Sequence, residues 1–189
     1  QTMNPSTKDL LDAVERVNAD AVIILPNNSN IIMAAQSAAG LSEVPCAVVP
    51  TKSVPQAFSA LFSADETASL EENVENMTSA FADTKTGEVT TAIKDSKDAH
   101  DNPIHNGDVI GIADGSIEAV GSSVEDVVMS LLDTMEAEDA DTLTLLAGED
   151  FSDEQLDALV ERIESRFDEL EVDAHRGEQP LYPIVFSVE

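Results

Sequence analysis

One cysteine, Cys46, is the whole thiol inventory of this 189-residue chain. It cannot form an internal disulfide. It lies in the apolar run Val44-Pro45-Cys46-Ala47-Val48-Val49-Pro50, so it reads as a small core residue rather than an activated nucleophile. Basic residues are scarce too: nine Lys and Arg stand against 38 Asp and Glu, a formal net charge of −29. Nucleic acid and anionic membrane carry the same sign, so binding to either by electrostatics is excluded. After Lys97 the only cations are Arg162, Arg166 and Arg176, which makes the second half the more acidic. A solvated, solubility-conferring surface accounts for this acidity better than a face reserved for a basic partner. No apolar run is long enough to span a bilayer and no secretory leader is recognisable, so no membrane insertion and a cytoplasmic location are expected. Gln1 in place of Met leads to the expectation of a piece cut from a longer protein.

Chemical motifs are equally thin. There is no GxxxxGK[ST] loop for phosphates, no GxSxG elbow, no HExxH and no calcium loop. His100, His105 and His175 have no cysteine partners, and acidic clusters such as Glu136, Glu138, Asp139 and Asp141 lack ligand spacing. No catalytic residue and no metal ligand is assigned.

What is present is an organising stretch, Ala21 to Gly40. Val22, Ile23, Ile24 and Leu25 form an apolar, partly β-branched run, Pro26-Asn27-Asn28-Ser29-Asn30 a polar turn, and Ile31, Ala34, Ala35 and Ala38 an apolar helical stripe. The pattern is strand, turn, helix. So continuous a strand predicts cover on both faces, as in a parallel sheet, and Gly40 is placed to end the helix in a left-handed conformation. Val44 to Pro50 reads as the next strand, which makes one βαβ unit.

Before this stretch, Ser6 and Asp9 form a helix-capping pattern ahead of Leu10, Val14 and Val17. After it, Thr51 to Phe62 reads as a helix burying Val54, Phe58, Leu61 and Phe62, with Pro55 tolerated in the first turn. Asp65 to Asp83 reads as another, with Leu70, Val74, Met77 and Phe81 at helical spacing. From Lys85 the period changes: Val89, Thr91 and Ile93 alternate with Thr90, Ala92 and Lys94 as in a half-exposed strand. Ser96 to Asn106 is a polar loop. Asp114-Gly115 between Val109–Ala113 and Ser116–Val120 is a hairpin signal. Ser123 with Asp126, and Ser152 with Gln155, start two further helices; the first carries Val124, Val127, Val128, Leu131 and Met135, the second Leu156, Leu159, Val160, Ile163 and Phe167. Thr142 to Leu146, Glu169 to Asp173 and Pro183 to Val188 read as strands. The expected fold is α/β, with a parallel Rossmann-like βαβ first lobe over residues 1–84 and a mixed or antiparallel α+β second lobe over 85–189. With 42% of residues hydrophobic, one compact domain over the whole chain is the alternative division.

The string ILPNNSNIIMAAQ, preceded by Gln1 to Thr7 and followed by VVPTKSVPQ, TGEVTTAIKDS, GDVIGIADGSI and GEQPLYPIVFSVE, resembles the carboxyl-terminal domain of the large subunit of bacterial fatty acid kinases, a family formerly labelled dihydroxyacetone kinase-like. The blocks recur in order over nearly the whole chain. The resemblance implies a DegV-like fold and a non-catalytic domain that docks the fatty-acid-binding small subunit. The kinase domain, with its ATP and Mg, would lie in other parts of the same protein. Two alternatives follow from it as well: a site for fatty acid or dihydroxyacetone, or a module for making a homodimer. In DegV-type relatives the turns after the first two strands present hydroxyls and amides to a carboxylate, which makes Asn27, Asn28, Ser29, Asn30, Thr51 and Ser53 the candidate binding residues here. The bland alternative is that these residues cap helices, for which they are strongly preferred. Where the family typically carries Gly-Gly-Gln-Pro this chain has Arg176-Gly177-Glu178-Gln179-Pro180, so Gly177, Gln179 and Pro180 mark a turn near a ligand or partner, with a side chain where none is expected. Dihydroxyacetone kinases hold substrate through a histidine, but none of the three histidines falls in a matching block and no role is carried over.

Overall fold

In the computed structural model, which describes residues 4–189, Ser6 closes a capping box at the start of α1 (Thr7–Arg16): its side chain accepts from the Asp9 N–H and the Asp9 carboxylate accepts from the Ser6 N–H. Val14 is the buried residue of this helix, while Val17 falls at its C-cap and is exposed. β1 (Val22–Ile24) then pairs in parallel with β2 (Cys46–Val48), Val22 opposite Cys46 and Ile24 opposite Val48, with α2 (Ser29–Leu41) as the crossover between them. The expected βαβ unit is there, but the strand is not enclosed. Among the described residues its sheet is two strands wide, both strands are edges, and Val22, Ile23 and Ile24 are only half-buried.

Gly40 does not terminate α2. It lies within the helix, which ends at Ser42 in an extended conformation (φ −68°). The Ser42 hydroxyl there donates to the Val44 carbonyl at 2.8 Å and accepts the Val44 N–H at 3.1 Å, so a serine turn does the work expected of a glycine.

α3 (Val54–Phe62) has Pro55 in its first turn as expected, but its faces are reversed. Pro55, Gln56, Ala57 and Ala60 are buried, whereas Val54, Phe58, Leu61 and Phe62 are exposed, Phe62 by 90%. The large apolar residues do share one side, but the opposite side, with Ala57, Ala60 and Gln56, is small enough to pack closely, so the periodicity points to the wrong face. The small side goes in: Ala60 packs with Val49 and Met77, flanked by Ile23, Leu25, Val74 and Phe81. α4 (Leu70–Ala80) starts later than Asp65, because the Asp65 carboxylate instead accepts from the Thr67 N–H and hydroxyl in a turn, and Ser69 with Glu72 makes the capping box.

Asp83 and Thr84 divide this unit from the next. The second unit holds β3 (Lys85–Thr91), β4 (Ser96–Lys97), β5 (Pro103–Ile104), β6 (Val109–Ala113), β7 (Ser116–Gly121), α5 (Val124–Thr134), β8 (Thr142–Ala147), α6 (Asp153–Arg166), β9 (Glu171–Arg176) and β10 (Ile184–Val188). Six strands form one sheet in the order β7-β6-β3-β10-β8-β9, antiparallel except for β8 with β9, which α6 joins as a parallel pair. β10 lies between β3 and β8 and is buried along its whole length, as its apolar sequence IVFSV requires. α5 and α6 contribute Val127, Leu131, Leu159 and Ile163 to the main core, which meets Leu143, Leu145, Ile184 and Phe186 of the sheet. The α+β half is therefore mixed, with the Asp114-Gly115 hairpin at positive φ in both residues (47° and 92°) as read.

Three local readings change. Ser96 to Asn106 is no plain loop, since β4 and β5 pair within it as a small ribbon. β3 ends at Thr91, so the alternation does not continue: Ala92 is buried and Ile93 is 88% exposed. β9 runs on through His175 and Arg176, because each residue from Glu171 to Arg176 has a parallel partner in β8 from Thr142 to Ala147. Among the described residues, no helix is long and apolar enough to cross a membrane.

Candidate functional site

The polar turns at the carboxyl ends of β1 and β2 are joined by residues 24 positions apart. Asn27 adopts a left-handed conformation (φ 57°), which asparagine tolerates better than most residues. Thr51, fully buried, holds it there: the Thr51 hydroxyl donates to Asn27 Oδ1 at 2.7 Å and accepts the Asn27 N–H at 3.2 Å. Asn28 caps α2 by accepting the Asn30 N–H at 2.9 Å. Ser53, buried, caps α3 by accepting the Gln56 N–H at 3.3 Å, and Gln56 Oε1 takes the Lys52 N–H at 2.8 Å. Ser29 and Asn30 are exposed. The two helix starts lie at the ends of neighbouring strands, where unpaired N–H groups favour an anion. Of the predicted set, Asn27 joins Thr51 directly, Asn28 and Ser53 are caps, and Ser29 and Asn30 are surface residues.

Gly177, Gln179 and Pro180 belong to the second unit. Gly177 and Glu178 both donate their N–H to the Ala147 carbonyl, at 2.8 and 3.2 Å, and Gln179 Nε2 donates to the carbonyls of Leu146 (2.8 Å) and Tyr182 (3.1 Å). A Cβ on Gly177 would stand 2.1 Å from Gln179 Oε1, so a side chain there would have to displace the end of Gln179. Arg176 does not obstruct the loop. Its guanidinium donates to the Phe151 carbonyl and, at 2.9 Å, to the Gly148 carbonyl, tying the end of β9 to the 148–151 segment.

This loop walls a cleft of about 650 Å³, which the sequence did not announce. Ala92, Ile110 and Ile117 floor it, Gln179, Leu181, Tyr182 and Pro183 form one side, and Thr91, Lys94, Ser96 and Asp150 supply polar groups. The Thr90 hydroxyl, also in the lining, donates to the Leu181 carbonyl at 2.7 Å. Burial pushes the Tyr182 hydroxyl pKa up, and Glu88 raises it further; burial likewise raises the Glu88 carboxyl.

His100 faces Glu118 at 3.2 Å, His105 faces Asp108 at 3.6 Å and His175 faces Asp173 at 2.9 Å, all at exposed positions. Cys46 is half-buried and its thiol pKa is raised by burial, the opposite of an activated nucleophile. Among the described residues, no three His, Cys, Asp or Glu side chains gather as metal ligands.

The model of the FakA-like carboxyl-terminal family of fatty acid kinases matches residues 1–189. Protein YloV of Bacillus subtilis is 44% identical over 190 residues, covering 100% of this chain and 34% of that relative, and an uncharacterised protein of Staphylococcus haemolyticus is 42% identical with the same coverage. The chain thus spans about a third of the length of these curated relatives. Among solved structures, the Streptococcus pneumoniae fatty acid kinase (Fak) B3 protein loaded with linoleic acid superposes with a TM-score of 0.65 at 15% identity, over 98% of this chain and 76% of that one. A DegV family protein from Corynebacterium glutamicum gives 0.65 at 16%, over 98% and 82%. The fold is that of the DegV family.

Proposed function

Because the chain belongs along its whole length to the FakA-like carboxyl-terminal family of fatty acid kinases, we propose that it docks a fatty-acid-binding small subunit of DegV type for a kinase whose catalytic domain lies elsewhere in the same protein. ATP and magnesium act at that other domain, and the bound acyl carboxylate receives the phosphoryl group there. Asn27, Thr51 and Ser53 supply a rigid end to the β1–β2 pair. The observation that carries this reading is how they spend their polar groups: the Thr51 hydroxyl is satisfied by Asn27 on both its donor and acceptor sides, and Ser53 is occupied as a cap. A carboxylate ligand would have to displace these bonds; a protein partner need not. The test is acyl phosphate formation by the whole kinase with residues 1–189 present or deleted, using a carrier loaded with linoleic acid. Loss of carrier binding on deletion, with ATP hydrolysis retained, is expected; a deletion that leaves carrier binding intact refutes the reading.

A second reading, a site for fatty acid or dihydroxyacetone in the chain itself, has the cleft beneath Leu181 and Tyr182 in its favour. Native mass spectrometry of the purified chain decides it, since a retained acyl chain adds a defined mass.

A further inference from the structure

We infer that the outward face of α3 is the docking surface, and that it receives an apolar patch of the carrier protein edged with Lys and Arg. The inference rests on the docking reading above and specifies its contact. Val54, Phe58, Leu61 and Phe62 recur at i, i+4, i+7 and i+8, which places them within an arc of about 100° on one side of the helix. All four are exposed, by 42% to 90%. Two phenylalanines and a leucine on one short helix make a cluster, where single exposed apolar residues would need no explanation.

The charge distribution supplies the second, independent observation. Of nine basic and 38 acidic residues in the chain, only Glu43 and Lys52 fall within 21–64. Part of that stretch is strand and core, but the exposed side of α3 carries no charge either and bears two phenylalanines, and depletion of charge with enrichment of aromatics is the compositional mark of an interface centre. Directly beyond it the sign returns. Asp65 and Glu66 follow α3, and α4, which packs against α3, exposes Glu71, Glu72 and Glu75 with no cation in its last turn. An apolar centre with an acidic edge is complementary to an apolar centre with a basic edge. A second copy of this chain would instead bring another −29 and its own Asp65, Glu66 and Glu71 to the same rim.

The experiment measures the dissociation constant between the chain and a DegV-type carrier from the same organism loaded with linoleic acid, by calorimetry, at low and high NaCl. Phe58→Asp and Phe62→Asp are compared with Val120→Asp, a control of equal charge at an exposed position in the other unit, outside the cleft. Both α3 variants are expected to weaken binding at least tenfold with unchanged melting temperature, the control to leave it unchanged, and high salt to weaken the wild-type complex. Hydrogen exchange on the unmodified chain should slow at 54–62 when the carrier is added. Wild-type affinity in both α3 variants, or exchange protection elsewhere, overturns the surface while leaving docking intact. No binding by the unmodified chain overturns docking as well. A dimer in sedimentation that Phe62→Asp converts to monomer reassigns the face to a second copy and overturns the proposed occupant.

Discussion

Thr51 and Asn27 bind one another twice, hydroxyl to side-chain carbonyl and backbone N–H to hydroxyl, across the ends of the two parallel strands. The pair fixes the left-handed Asn27 from which α2 departs. Thr51→Val keeps the shape and removes both bonds, leaving a half-buried N–H and amide oxygen without this partner. A loss of about 1 to 3 kcal/mol is expected on the usual scale for unsatisfied polar groups. Thr51→Ser, which keeps the hydroxyl, should lose less than half of that. Urea denaturation of the three proteins checks the order; equal stabilities would mean that Asn27 is held by its backbone surroundings alone.

Gly87 faces Phe186 across the β3–β10 pairing, and a Cβ there would stand 2.1 Å from the ring. The ring is fully buried, so it has nowhere to move. Gly87→Ala should therefore destabilise the second unit by about 1 to 3 kcal/mol through overpacking. Adding Phe186→Leu should recover part of the loss, because the smaller side chain vacates the contested space. Thermal melts of the single and double variants test this; strict additivity would contradict a direct clash.

The pH dependence has two opposed sources. Glu88 is held above the ordinary carboxyl range by burial, so the folded protein binds its proton more tightly than the unfolded chain does. Its contribution is present below the ordinary glutamate value of about 4.3 and is lost as pH rises through the raised value. Asp65, lowered by the Thr67 hydroxyl, and Glu72, lowered by the Ser69 N–H, act oppositely: their contributions are present above the ordinary values and vanish as pH falls through the lowered ones. Glu88→Gln should thus raise the melting temperature at pH 7 and have little effect near pH 4. A gain of the same size at both pH values would remove the titration from the explanation.

Features fixed by neighbours in sequence were legible. The capping boxes at Ser6 and Ser152 and the Asp114-Gly115 turn depend on residues one to three positions apart, and each is where the residue types place it. Features fixed at long range were not. Which side of α3 faces inward depends on Val49 and Met77, which take the small side at Ala60, whereas the helix's own pattern of large apolar residues points to the other side. Ile93 looked like the next inward residue of β3, but the strand stops at Thr91, and Ala92 goes into a small cluster with Ile104 and Ile110. At the candidate site the residue types were readable, while the Asn27–Thr51 bond, 24 residues apart, was not. Glu88 and Tyr182 escaped notice because nothing local marks a strand residue as withdrawn from water.

Arg176, at the end of β9, ties the 148–151 segment to that strand, with its guanidinium reaching the carbonyls of Phe151 and Gly148 at once. Lysine has a single ammonium and cannot reproduce a planar fork serving two acceptors. Arg176→Lys and Arg176→Ala should therefore both destabilise the second unit, by about 1.5 to 3 kcal/mol for each charged hydrogen bond lost. The Ala147 carbonyl still receives the Gly177 and Glu178 N–H groups, so the strand end should persist while the 148–151 segment loosens. Hydrogen exchange tells the two apart: faster exchange at Glu149, whose N–H donates to the Gln179 carbonyl, and at Phe151, whose N–H donates to the Gly148 carbonyl, with β9 amides unchanged, is the expected result. Uniform acceleration across β8 and β9 would make Arg176 a support of the sheet, and full rescue by lysine would reduce its role to charge.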